Sequence, residues 1–481
     1  MVFSKLALAS LLALATAAPK DTPTKRQISL PPLIPSIPGV TEPLSSNAPP
    51  LPILQLPTPP LPEVPYTPSN IKPKKIGYFW TGSGDNQHAD FLASFSLDDD
   101  TFGTLLRLVS VPTSGNSPHH LGVSSDGKTL WAGGLLSLLK TQDTGFYFDV
   151  SNPYEPKFLK SDRALLASIS DDVVAKPDGG FFFTYMGSAV GTSPGRLIET
   201  DADYNIIHQW PEDVPGVLSV LDSQFSPHGL AVDYDNGYIY TSDFVIPITV
   251  LKPSAGIVGG HSVRLWDLNT RTILNSVQIP NGGGIQDVKL IPGNKEGAAV
   301  ATAVGLGQIW IIYPKRTDPV SGKPGVAELL FDLGEKARNT VAIFSAITSD
   351  GKYMYVTATT ANHVYQLDIS DLDNVKRLDS DSEVQPIVGP HYLKITPDQK
   401  NVVITDYFVQ TGDIGILNTP SDYVAQYIDI LDDGRLSFNR SINFPQVFSN
   451  RGGARPHSTV VFDLTDPANP KYDTGAYPGA P

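Results

Sequence analysis

From Ile76 onward the chain alternates between short apolar runs and turns rich in Asp, Asn, Gly and Pro. The runs are four to six residues long, heavy in Val, Ile, Phe, Tyr and Trp, and no stretch sustains the 3.6-residue period of a long amphipathic helix. They fall into groups of four. One group is His120–Val123, Thr129–Ala132, Gly145–Val150 and Pro156–Leu159. The next is Asp172–Ala175, Gly180–Thr184, Arg196–Thr200 and Asn205–Trp210. The first two runs of successive groups are joined by Asp126-Gly127, Asp178-Gly179, Asp235-Asn236, Asn294-Lys295, Asp350-Gly351 and Asp398-Gln399. Asp and Asn tolerate tight turns and Gly supplies positive φ, so this recurrence has a mechanical cause. The third run tends to end in Asp, as at Asp149, Asp267 and Asp368.

A four-strand unit recurring every 50 to 60 residues or so is the mark of a β-propeller. The first strands align at His119, Asp171, His228, Gln286, Ile343 and His391, which gives six complete blades. The ends of the chain supply a seventh. Ile76–Trp80, Phe91–Ser96 and Leu105–Val109 lack a first strand, and Pro456–Phe462 is a first strand with nothing after it. Joining them closes the ring and hides two edges. The fold class expected is therefore all-β, a seven-bladed β-propeller over residues 75–481 whose C-terminal strand completes the first blade.

Composition narrows the functions available. The net charge of -14 argues against a nucleic-acid partner and gives no support for an anionic membrane surface. With no cysteine, disulfides, thiolate nucleophiles and Cys-bound zinc are all excluded. Residues 1–18 show Lys5, an apolar run and then small residues, the order of a secretory signal peptide. Residues 19–26 end in Lys25-Arg26, a dibasic sequence at which a propeptide would be removed; the alternative is a retained tail. Residues 27–74 are Pro-rich and expected to be extended or disordered. Asn439 heads a glycosylation sequon. These features predict a secreted, monomeric glycoprotein that acts on a small molecule.

The candidate chemistry lies at the first-strand position. Three blades begin with Pro-His, at His119, His228 and His391, each followed by an Asp seven residues later, and a fourth Pro-His stands at His457. First strands line the central channel, so equivalent residues converge. Four of the nine histidines in one repeat position point to a metal held by imidazoles, which suit copper, iron or zinc. His120 and Asp172 sit one residue further along and take part if the register slips by one. The competing reading is that each histidine lines the channel and bonds to backbone or water. Asp171 and Asp172 are candidate proton carriers, or loop-capping residues. His261 reads as a surface residue, and His88, His208 and His363 show no partner spacing. Asn281-Gly282-Gly283-Gly284 precedes a strand and lacks the helix of a phosphate loop. Asp98-Asp99-Asp100 reads as a solvated turn.

Several segments resemble the selenium-binding protein / methanethiol oxidase family. They are Trp80–Gly84 with Asp90–Phe95, the His119-His120 pair, Gly260–Asp267, His363–Asp371, Gly389–Asp398 and His457. The resemblance implies a seven-bladed propeller and a copper-dependent oxidase that converts methanethiol and oxygen to formaldehyde, hydrogen sulfide and hydrogen peroxide. It places the metal on His119, His120, His228, His391 and His457. The family's selenium-linked cysteines have no counterpart in this chain. Two other classes stay open: a propeller lyase, lactonase or isomerase using the same histidines as acid and base, and a binding propeller without chemistry.

Overall fold

The computed structural model describes residues 61–211, 225–250, 257–338, 340–409 and 419–475. It contains seven four-stranded antiparallel sheets, and helix among the described residues is limited to single turns such as Phe444–Val447. No helix among them is long and apolar enough to cross a membrane. The innermost strands are Ala454–Asp463 (blade 1), Pro118–Val123 (blade 2), Ala167–Ala175 (blade 3), Pro227–Asp233 (blade 4), Ile285–Leu290 (blade 5), Ile343–Ile347 (blade 6) and Leu393–Ile395 (blade 7). Each packs beside the next, and that of blade 7 beside that of blade 1, so the ring closes as the repeat predicts. Closure is made by a nine-residue register between Lys75–Ser83 and Asp463–Ala454.

Apolar side chains fill the wedges between blades. Between blades 1 and 2, Trp80, Leu92, Leu130, Phe146, Phe148 and Val460 pack together, and Trp80 Nε1 donates 2.7 Å to the Gly133 carbonyl. Between blades 7 and 1, Phe79, Phe95, Tyr427, Phe444 and Phe448 do the same. The tight turns need their glycines: Gly127 and Gly351 sit at φ 69° and 70°.

A belt of hydroxyls locks the inner strands together. Thr184 donates to the His228 carbonyl, Ser242 to Gln286, Thr302 to Ile343, Thr357 to His391, Thr405 to His457 and Ser458 to His119. In each case the acceptor is the carbonyl of the ring-position residue on the following blade. The belt therefore fixes the backbone at the level where the histidines project.

The signal-peptide and propeptide assignments, and the Pro-rich segment as far as residue 60, lie outside the described residues. Residues 61–73 have no regular secondary structure but are tethered to the propeller. Tyr66 and Leu108 exchange hydrogen bonds, and Arg107 donates 2.6 Å to the Ser69 carbonyl.

Candidate metal centre

The inner strands do not alternate regularly at the ring position. The register with the second strand shifts between Pro118 and Leu121, Ser170 and Val173, Pro227 and Leu230, and Ile285 and Val288. A bulge leaves residues unpaired and re-aims their side chains. In a regular strand His119 and His120 would face opposite ways. Here their rings stack in parallel, with centroids 4.6 Å apart. The register with Lys75–Ser83 also shifts around His457.

Five imidazoles meet in the channel. The His119 ring lies 4.1 Å from His457, 5.7 Å from His228 and 6.5 Å from His391, and His391 lies 4.9 Å from His457. One nitrogen each from His119, His120 and His457 fall within 4.8 Å of one another, as do ligand atoms of His119, Asp171 and His228. His391 adjoins these groups without joining either. All five histidines are at most 1% exposed. The predicted convergence of blades 7, 1 and 2 is present, and His228 reaches the cluster beside Asp171, whose Oδ1 lies 3.3 Å from His119 Nε2 and 3.7 Å from His228 Nε2.

The electrostatics favour neutral rings. Burial, reinforced by the neighbouring imidazoles, holds His119, His391 and His457 well below the ordinary histidine value; burial takes His228 to about 3. A metal needs the free nitrogen lone pair, so the site is poised to ligate at neutral pH. Both ring nitrogens of His119 and His391, Nε2 of His120 and Nδ1 of His228 are buried with no hydrogen-bond partner among the described residues. Orphaned buried polar atoms are costly, and a cation is the partner that lone pairs facing one another would take. The residues therefore fit a metal, and no backbone group among the described residues accounts for these nitrogens.

The two aspartates have opposite environments. Burial, with the Asp172 charge adding to it, raises Asp171 well above the usual carboxylate range. Burial also opposes ionisation of Asp172, but the Lys289 ammonium at 3.4 Å and the bond to His120 Nδ1 at 3.2 Å outweigh it. Asp172 is thus held as a carboxylate. Lys289 was not singled out in the sequence. It lies three residues after the ring position on blade 5, and only that layer of the repeat would have revealed it.

The cluster has two unlike faces. On one, Phe244 packs on His228 and Phe408 on His391, within an apolar group that includes Leu135 and Met186. On the other is a cavity of about 570 Å³. Asp172, Phe344 and Tyr392 line the cavity and also touch His120, so they form its floor. The remaining sequence candidates lie elsewhere. His261 is exposed, as expected. His88 bonds Asp85 and His363 bonds Asp379, both at 2.7 Å, and the latter buried pair was not legible from spacing. Asp98 accepts from the Lys74 and Lys75 amides as part of a turn. Asn439 is exposed and its amide bonds Asp429.

No family model matches this chain. It is similar to methanethiol oxidase of Ruegeria pomeroyi, 25% identical over 342 residues, covering 64% of this chain and 73% of that protein. It is also similar to methanethiol oxidase of a Hyphomicrobium species, 24% identical over 63% of this chain and 69% of that one. Among solved structures, a hypothetical selenium-binding protein from Sulfolobus tokodaii shares the fold with a TM-score of 0.64 and 18% identity, over 82% of this chain and 94% of that one. A periplasmic gluconolactonase from Pseudomonas aeruginosa shares it at TM-score 0.55 and 13% identity, over 80% and 99%. The two curated relatives support the distant resemblance to the selenium-binding protein / methanethiol oxidase family that the sequence segments carry.

Proposed function

We propose that this protein is a copper-dependent oxidoreductase of the methanethiol oxidase type, acting on a small thiol. The observation that carries the reading is the set of five buried imidazoles meeting in the channel, with nitrogens of His119, His120, His228 and His391 that lack a partner among the described residues. His119, His120, His228, His391 and His457 would hold the ion. Bound copper would supply one-electron chemistry with oxygen, which side chains alone cannot perform.

The chain's own groups do the rest. Asp172 lies on the wall shared by the cavity and the cluster and is ionised, so it accepts a hydrogen bond from the S–H of an incoming thiol and orients it. Lys289 keeps it ionised. Asp171 is protonated and lies beside His119 and His228, where it donates a proton to product. Phe344 and Tyr392 hold water off the cluster. The segments at residues 1–18 and at Asn439 support secretion, so the thiol acted on would be extracellular.

The test is metal analysis of the purified protein followed by oxygen uptake with small thiols. Near-stoichiometric copper and thiol-dependent oxygen consumption are expected. Failure to retain copper after reconstitution overturns the reading and leaves the histidines as acid-base or structural groups.

A further inference from the structure

Three residues past the ring position, the inner strands of blades 2 to 7 carry Gly122, Val174, Ala231, Lys289, Ala346 and Lys394, all of which line the cavity. Four are small or apolar, and the two lysines differ in their partners. Lys289 lies 2.8 Å from Asp287 on its own strand and 3.4 Å from Asp172, both fixed by the propeller. Lys394 has one acidic partner among the described residues, Asp473, with Nζ to Oδ2 at 2.7 Å.

Asp473 does not belong to a blade. It lies in the segment that follows the closing strand, and residues 470–475 of that segment line the cavity mouth. The segment is tied to the propeller on both sides of Asp473. Lys471 and Asp463 exchange backbone bonds, Tyr472 stacks on Phe462 and donates to the Ser125 carbonyl, and Thr474 accepts from the Ala175 amide. The Asp473 side chain is 43% exposed and that of Lys394 16%. A cation facing the cavity is thus neutralised by a half-exposed carboxylate on a strap outside the blades.

We propose that the channel mouth carries an anion subsite on Lys394, occupied in this structure by the chain's own Asp473, and that the ligand it admits is a small molecule with a carboxylate at one end. The incoming carboxylate takes the Lys394 ammonium from Asp473, and the strap moves aside. Lys394 lies two residues beyond Tyr392, which immediately precedes the inner strand of blade 7, and so stands roughly 6–7 Å further from the cluster if the chain is extended there. The Tyr392 ring is 5.2 Å from His120. A ligand with two to four carbons or so beyond its carboxylate spans that distance and brings its far end to the cavity floor. That the far end is a thiol rests on the oxidase reading; the anion subsite does not.

The strap makes the test sign-specific. Binding of 3-mercaptopropionate under anaerobic conditions, and of propionate, is measured by calorimetry on the full chain. Asp473→Asn removes the internal competitor and should tighten both by about threefold or more, whereas loss of a structural contact would weaken them. Lys394→Met should weaken both by about tenfold, and 3-mercaptopropanamide should bind about tenfold more weakly than the acid. Thermal melts show whether each variant folds. If Lys394→Met does not, the sign of the Asp473→Asn change and the acid-amide ratio decide. Unchanged or weaker binding in Asp473→Asn, equal binding of acid and amide, or no binding of either carboxylate overturns the subsite. Absence of copper with the expected binding pattern sinks the oxidase reading and leaves the subsite standing. Thiol-dependent oxygen uptake with a flat binding pattern does the reverse.

Discussion

Nδ1 of His120 lies 3.2 Å from Oδ1 of Asp172, and this contact joins the histidine cluster to the cavity. It exists because two neighbouring inner strands both bulge at the ring position. Each turns a second residue inward where a regular strand would have turned it away. The pair couples a group that would ligate a metal to one that lines the cavity.

Removing two of the ring histidines tests the cluster. The double variant His228→Ala/His391→Ala should lose the metal that the wild type retains, as measured by mass spectrometry of the purified protein. Circular dichroism should remain β-type, because the blades are held by their apolar wedges and closing strand. Full metal content in the variant would show that these side chains are not ligands.

Asp172→Asn removes the carboxylate charge while keeping its shape. Thiol-dependent oxygen uptake should fall by about tenfold or more, with the metal still bound at stoichiometry when it is supplied in excess. In Lys289→Met the charge that holds Asp172 ionised is gone, so the acidic limb of the rate profile should move to higher pH. A rate profile that stays in place would show that the Asp172 charge takes no part in the reaction.

A stability effect is expected from Asp162. Burial raises its carboxyl to about 6, partly offset by its bond to Tyr147. The folded state binds the proton more tightly than the unfolded chain, so this contribution to stability is full below about 4. It is lost as pH rises through about 6. Asp162→Asn should therefore raise the melting temperature at pH 8, by about 2 kcal/mol in stability, and leave it nearly unchanged at pH 4. Equal shifts at both pH values would count against a titrating Asp162.

The closing blade offers a packing test. Trp80→Ala removes the side chain that fills the wedge between blades 1 and 2 and its bond to Gly133. A loss of about 3–5 kcal/mol is expected in denaturant unfolding. A loss below about 1 kcal/mol would mean the wedge collapses around the cavity.

Secretion can be tested at Asn439, which is exposed on the outer strand of blade 7. Expressed through a secretory route, the wild type should carry a glycan there that endoglycosidase treatment removes, and Asn439→Gln should lack it. An unmodified Asn439 in secreted material would remove that support.

Much of this protein was legible along the chain. Turns headed by Asp or Asn every 50 to 60 residues or so gave six blades, because each turn type constrains its own residues locally. The incomplete first group and the solitary strand at Pro456–Phe462 gave the closure, because an unpaired edge demands a partner. Placing His119, His228, His391 and His457 at one repeat position gave their convergence, since the ring maps equal positions to one level of the channel. Tertiary structure alone decided the rest. Whether His120 faces inward beside His119 depends on a bulge, a property of two paired strands that neither strand's sequence states. The contrasting protonation of Asp171 and Asp172, adjacent in sequence, depends on Lys289 reaching across from blade 5. The pairing of Lys394 with Asp473 depends on a strap laid over the channel mouth. Periodicity reports which residues share a level; burial, charge and the path of irregular segments are fixed only when the ring has closed and water has left the channel.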